Sequence, residues 1–424
     1  MTRRVVITGL GVVSAAGIGI EETWRTIETA PPRADLVEVP ATSDEDRKFK
    51  LFATPEYRIA DVTETYVDGA QLEREGIDGQ RDVKHLIAAS GLAMDDAGLR
   101  STGAEPDLAE VGLVVADEHP GVERLARTLY SSVTGSAAAP SRPGYGDVAE
   151  QVFELNTYLV PYRVARALHL GGECAFVNSA CTSGLTAIDN AATQIRLGRT
   201  SLAIAAASDD PLSSGKFRWF ADQQLYSPDG VLRPFDAAAS GTVFGDGGAA
   251  VVLEDEEHAL RRGARIYGRL LGAGFTQDGW RISAPNPASA NQGRSIRRAL
   301  AEAGLDAAHV DVIVPHGTGI PMIDKYEART IRGLWPDRNA QPTCLPLKPY
   351  VGHNLGGSSL LEAALLLKAM RERRIPAVRA GEPAVAPSHG LDLPARSSSK
   401  VIRHAVKTAV GFGGFYGSIV LQAL

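Results

Sequence analysis

Between Cys174 and Gly198 the chain passes from a short apolar run, Cys174–Val177, into the small-residue turn Asn178-Ser179-Ala180-Cys181-Thr182-Ser183-Gly184. A helical pattern follows, with Leu185, Ile188, Ala192 and Ile195 at three- and four-residue steps and Gly198 as a stop. The apolar run reads as a buried strand leaving a sheet, so this unit commits the chain to an α/β layout. Cys181 then sits at a helix start. Thr182 or Ser183 is placed to cap that helix, and its free first-turn N–H groups favour the thiolate over the thiol. A small buried cysteine is the competing reading, since free cysteine packs as a small hydrophobe.

The same strand-to-turn-to-helix pattern returns downstream. Residues 310–314 read as a strand running into Pro315-His316-Gly317-Thr318-Gly319, followed by a helix over 324–334. The run Val351-Gly352-His353-Asn354-Leu355-Gly356-Gly357 opens a small-residue and leucine-rich helix reaching about residue 373. Around these units, strands are expected at 4–8, 111–116, 201–207, 249–253, 265–272, 401–410 and 417–424, and helices at 20–28, 80–98, 161–170 and 295–303. Residues 35–62 read as irregular and polar, and 209–230 as loop-rich with an aromatic cluster of Phe217, Trp219, Phe220 and Tyr226. Residues 117–158 read as a surface excursion. Strands alternating with helices imply sheets covered on both faces. The repeated unit suggests two related halves, 1–258 and 259–424.

Composition narrows the function. At 424 residues, with 44% hydrophobic and 22% charged residues, the chain reads as globular and large enough for a substantial core. A formal charge of −6 argues against a nucleic-acid partner. No apolar run approaches membrane-spanning length. Three cysteines, Cys174, Cys181 and Cys344, make neither a CxxC pair nor an even framework, which suggests a reducing, cytoplasmic setting. Thr8-Gly9-Leu10-Gly11 imitates a dinucleotide fingerprint, but Ser14 stands at the third glycine position and no clean βαβ unit follows, so a tight turn is the simpler explanation.

In an open α/β layout, ligands gather where strands end and helices start. Cys181, His316, His353 and Phe412 all fall at such ends. Seven other histidines read as ordinary polar residues; His316 and His353 stand apart because each lies in a run of small residues that lets a substrate approach closely.

On these residues the sequence resembles the β-ketoacyl-[acyl carrier protein] synthases of the thiolase fold, of the type II fatty-acid and type II polyketide kinds. The markers come in order along the chain: Ala180-Cys181-Thr182-Ser183-Gly184, Arg233-Pro234-Phe235-Asp236, His316-Gly317-Thr318-Gly319, Lys348, Gly352-His353 and Gly411-Phe412-Gly413-Gly414. The resemblance implies two thiolase-like halves in a layered α-β-α-β-α core. It makes Cys181 the acyl-accepting nucleophile, His316 and His353 the pair facing a malonyl thioester, Lys348 and Glu327 supporting charged groups, and Phe412 a gate. The Cys181 and Phe412 N–H groups would form the oxyanion hole, with Thr318, Gly413 and Gly414 against the substrate. No bound cofactor or metal is implied; substrates would arrive on the phosphopantetheine of an acyl carrier protein. A homodimer, or a heterodimer with a homologous chain-length subunit, is expected.

Three departures accompany the resemblance. Ile320 stands where the family often has a threonine, Phe415-Tyr416 where it commonly has Thr-Asn, and Ala116-Asp117-Glu118-His119-Pro120 where a glycine-rich strand end is expected. Two alternatives follow: a non-catalytic chain-length partner, and a cysteine-dependent acyltransferase or thioesterase on the same fold.

Overall fold

The computed structural model describes residues 3–29, 34–38, 48–63, 69–99, 107–122, 125–126, 149, 152–211, 214–378 and 388–424. One eleven-stranded sheet runs through them. Its path is Thr343–Cys344, Val312–Val314, His404–Gly411, Phe415–Gln422, Gly268–Gln277, Val5–Ser14, Gly247–Asp255, Leu202–Ser208, Gly112–Ala116 and Cys174–Val177, with Gly17–Ile18 paired to Val5–Ser14. Outward from the central junction, each arm of the sheet takes its strands in the same chain order: first, fifth, fourth, second, third. The directions repeat as well, because the first, fifth and fourth strands of each arm are antiparallel neighbours and the outer two run parallel to the fourth.

Two inner helices pack against each other and against the sheet. Leu355–Glu372 is buried along every residue from 355 to 370. Its leucines Leu360, Leu361, Leu365, Leu366 and Leu367 each remove enough apolar surface from water to contribute about 1.5–3 kcal/mol. Ser183–Arg196 crosses it closely at Gly184, where an added Cβ would lie 2.5 Å from the Leu360 nitrogen. The outer faces are covered by Arg81–Asp96, against Val5–Ser14 and Gly247–Asp255, and by Asn291–Ala303, against Gly268–Gln277 and Phe415–Gln422. The architecture is the layered α/β thiolase-like arrangement that the sequence suggested.

Some local expectations need correction. Cys174–Val177 is a strand but not a buried one: it lies at the end of the sheet, with Cys174 exposed, because an apolar run alone does not say how many neighbours a strand has. Residues 35–62 are not wholly irregular, since Asp35–Glu38 pairs with Lys48–Leu51. Within 209–230 lies the helix Ser214–Asp222, whose Phe217 and Phe220 join Tyr226 and Phe244 in a buried cluster. Most of the excursion over 117–158, including 127–148, lies outside the described residues.

Candidate active site

The strand Cys174–Val177 ends in a turn that is fixed almost entirely by its own side chains. The Ser179 N–H donates to the Ser183 hydroxyl at 2.8 Å, and that hydroxyl donates to the Ala180 carbonyl at 2.6 Å. Thr182 donates to the Ser179 carbonyl at 2.7 Å. These hydroxyls fasten the elbow rather than cap the helix, and neither satisfies a first-turn N–H of Ser183–Arg196. Ala180 holds a φ of +52°, a strained left-handed conformation that costs a non-glycine residue about 1–2 kcal/mol. The strain turns Cys181 out of the strand and into the core at 5% exposure.

His353 is presented from the opposite side. Its backbone is gripped by the glycine-rich stretch before the strand Gly247–Asp255: the His353 N–H donates to the Val243 carbonyl at 2.9 Å, and the Gly245 N–H to the His353 carbonyl at 3.1 Å. Gly245 is required there because a Cβ would sit 1.9 Å from the Val351 carbonyl oxygen. The His353 ring lies with Nε2 3.5 Å from the Cys181 sulfur and Nδ1 2.8 Å from the Ser358 hydroxyl. A hydroxyl can meet Nδ1 as donor or acceptor, so this ring can carry its proton on either nitrogen without losing the Ser358 bond.

His316 completes the group. Its ring lies edge-on to that of His353, centroids 5.4 Å apart, and one ligating atom each from Cys181, His316 and His353 fall within 4.8 Å of one another. The turn that carries His316 is held by two carboxylates from the helix Pro321–Leu334. Glu327 accepts the His316 and Gly317 N–H groups, both at 2.8 Å, and Asp324 accepts those of Thr318 and Gly319 at 3.2 and 3.3 Å. Lys348 donates to the His316 carbonyl at 2.5 Å and pairs with Glu362 at 3.0 Å; Lys407 pairs with the same Glu362 oxygen at 2.7 Å and donates to the Pro315 carbonyl at 3.0 Å.

Burial dominates the electrostatics. It pushes the Cys181 thiol well above its ordinary value, with Glu118 adding to the rise and Lys348 opposing it. This reverses the expectation of a resting thiolate, because the sulfur lies in the core rather than at an open helix end. Burial also holds both imidazoles well below their ordinary value, with the Lys348 cation acting in the same direction. The resting site is therefore a neutral thiol beside two neutral imidazoles.

Phe412 closes the cavity from above, stacked on Phe220 with ring centres 5.6 Å apart and edge-on to Trp219. The aromatic cluster of the sequence is thus core, with Trp219 its one exposed member. Only about 20 Å³ is open at the sulfur, bounded by His316, Thr318, Ile320, His353 and Phe412. Gly411 brings the backbone against the elbow: a Cβ there would lie 2.9 Å from the Ser179 carbonyl and 3.4 Å from the Cys181 nitrogen. Gly413 and Gly414 stand behind Phe412, their backbone bonded to Ile282 and Asp278 at 2.6 and 3.0 Å. Glu362, Lys407, Asp324 and Ser358 escaped the sequence reading. Glu362 among the leucines and alanines of its helix and Lys407 in the strand His404–Gly411 were the available signals.

Residues 2–259 match the model of the beta-ketoacyl synthase N-terminal domain, and 267–382 that of its C-terminal domain. The chain is 29% identical to 3-oxoacyl-[acyl-carrier-protein] synthase 2 of Rhizobium meliloti over 99% of each chain. It is 30% identical to Nodulation protein E of Rhizobium leguminosarum bv. trifolii, over 89% of this chain and 88% of that one. Among solved structures, the ishigamide ketosynthase/chain length factor superposes with a TM-score of 0.86 at 27% identity, covering 100% of both chains. With two domain models in tandem and relatives alike over their full length, the chain belongs to the beta-ketoacyl synthase family, the condensing acyltransferases of fatty-acid and polyketide synthesis.

Proposed function

We propose that Cys181 accepts an acyl group from a carrier-protein thioester and that His316 and His353 direct its condensation with a malonyl thioester. The observation that carries this reading is the meeting of one thiol and two neutral imidazoles in a single buried cavity. In the first step the Cys181 proton passes to His353 Nε2 while the sulfur attacks the thioester carbon. The new S–C bond forms, the bond to the pantetheine sulfur breaks, and the proton leaves with that sulfur. The N–H groups of Cys181 and Phe412 would hold the oxyanion, a contribution of about 3 kcal/mol per donor. The close seat of Gly411 against the Cys181 nitrogen supports this pairing.

In the second step malonyl loses carbon dioxide, and the electron pair of the broken C–C bond becomes an enolate. N–H groups on the two rings would stabilise its oxygen. The enolate carbon attacks the acyl-cysteine carbonyl, a C–C bond forms, and the S–C bond breaks to release the Cys181 thiolate, which takes a proton from water to return the resting thiol. Lys348 and Glu327 act as positioning residues, holding the His316 turn from opposite sides. The repeated strand order supports reading 1–258 and 259–424 as two related halves that each supply part of this cavity. The end position of Cys174–Val177 in the sheet of the described residues, and the likeness to a ketosynthase/chain length factor, support a dimer formed through that edge with an identical or homologous chain.

Intact-mass measurement after mixing the chain with an acyl-carrier protein tests the reading. An acyl adduct present in the wild type and missing from Cys181→Ala is expected. His316→Ala should keep the adduct but release no carbon dioxide from malonyl-carrier protein. A wild type that never takes an acyl group would end the proposal.

A further inference from the structure

The wall of the site away from the two histidines carries chemistry that condensation does not use. Gly112–Ala116 runs parallel to Cys174–Val177 with Ala116 opposite Val177, so Asp117, Glu118 and His119 leave the sheet beside the Cys181 turn. The Asn178 amide fastens this crossing by donating to the Glu118 carbonyl at 2.9 Å. The Glu118 side chain lies near enough to Cys181 for its charge to push the thiol up. It is only 10% exposed, and its Oε1 has no hydrogen-bond partner among the described residues. Burial, with Asp209 adding to the effect, raises this carboxyl to about 8, so near pH 7 it is a neutral acid able to accept and to donate.

Its surroundings are polar as well. One oxygen of Asp117 is likewise buried without a partner, and Asp209 is ion-paired with Lys216. On the far side of His119 and Lys216 lies a cavity of about 490 Å³, whose walls include Arg81, Asp82, His85 and Asp210. The space on the malonyl side of the sulfur is already bounded by the histidines and Phe412. An acyl chain on Cys181 that turned the other way would run toward the Glu118 carboxyl, whose charge acts on the thiol. A plain alkyl chain there would keep water from the carboxyl and give nothing back, whereas a hydrogen-bond donor on the chain would satisfy Oε1.

We propose that Glu118 is a specificity-determining residue that selects, for loading onto Cys181, acyl groups bearing a hydroxyl or amino group within a carbon or two of the thioester carbonyl. This inference rests on Cys181 being the acyl acceptor. A site built around an unpaired polar group rejects the analogue that leaves it unpaired far more strongly than it distinguishes chain lengths.

The test uses the full chain and three pantetheine thioesters of matched length: butyryl, 3-hydroxybutyryl and 3-aminobutyryl. Initial rates of Cys181 adduct formation are read by intact mass. The wild type is expected to load at least one of the two substituted groups about tenfold or more faster than butyryl. Glu118→Gln, which keeps an acceptor oxygen but cannot ionise, should retain a preference for 3-hydroxybutyryl and weaken one for 3-aminobutyryl. Glu118→Leu, which fills similar space without a polar atom, should reverse the order in favour of butyryl. Equal rates for all three thioesters in the wild type, or a preference unchanged in Glu118→Leu, overturns the selection by Glu118 and leaves the acceptor role of Cys181 intact. No adduct from any thioester, carrier-bound acyl groups included, overturns both.

Discussion

The Cys181 sulfur and the His353 Nε2, 3.5 Å apart, are both held neutral by burial. A raised thiol means that free thiolate forms only as pH climbs past the ordinary value near 9. Alkylation of Cys181 by iodoacetamide, followed by mass, should therefore keep accelerating above pH 9 and show no plateau below pH 8; a plateau there would mean a thiolate that the site stabilises at rest. Lys348 offers a second test at this scale. Its cation helps hold both imidazoles down, so in Lys348→Met their protonation should move to higher pH and the acid limb of condensation should move with it. The same change strips a partner from buried Glu362, with Lys407 still beside it, and should cost roughly 3–5 kcal/mol in urea unfolding. The sequence made Cys181, His316 and His353 legible because each sits among small residues where bulk would bar a ligand. Glu362 and Lys407 were hidden because a single charge in an apolar run has no local signature of its partner, which lies on a different element.

Two helices start beside Cys181 and His353, and glycine sets the distance between them. Ser183–Arg196 follows Cys181, Leu355–Glu372 follows His353, and they meet where Gly184 leaves no room beside Leu360 and Ser359. Gly184→Ala would press a methyl group against backbone rather than a yielding side chain, so about 1–3 kcal/mol of stability should be lost in chemical denaturation. Because the shift falls between the sulfur and its imidazole, the rate of Cys181 acylation should fall too. Unaltered acylation with lowered stability would separate packing from positioning. Most of these elements could be read from periodicity, down to Gly198 and Gly98 as stops, both at positive φ. The helix Ser214–Asp222 could not, because its aromatic residues face a cluster assembled from Phe244 and Tyr226, beyond the reach of a local pattern. The pair Asp35–Glu38 and Lys48–Leu51 was hidden by its shortness: Lys48-Phe49-Lys50-Leu51 alternates polar and apolar residues over only four positions, and Asp35-Leu36-Val37-Glu38 does not alternate.

At the scale of the whole molecule, Cys174–Val177 ends one arm of the sheet with no further strand paired to it among the described residues. The Leu113 N–H donates to the Glu173 carbonyl at 2.9 Å, which in parallel pairing turns the backbone groups of 173 and 175 inward and those of Cys174 and Phe176 outward. An open strand of this kind is a template for pairing, and natural chains leave one only where something covers it. Four residues, exposed Cys174 among them, fit a two-fold contact in which the same edge meets itself or its counterpart. Proline is tolerated on an edge strand where its missing N–H would have faced away from the sheet. Cys174→Pro should therefore keep the folded chain while removing one outward donor, and equilibrium sedimentation should show the dimer weakened toward single chains. The cysteine side chain is lost in the same variant, so Cys174→Ser serves as the control and should sediment as the wild type. If Cys174→Pro remained fully dimeric with its helical circular dichroism intact, the pairing surface would have to lie elsewhere on the molecule.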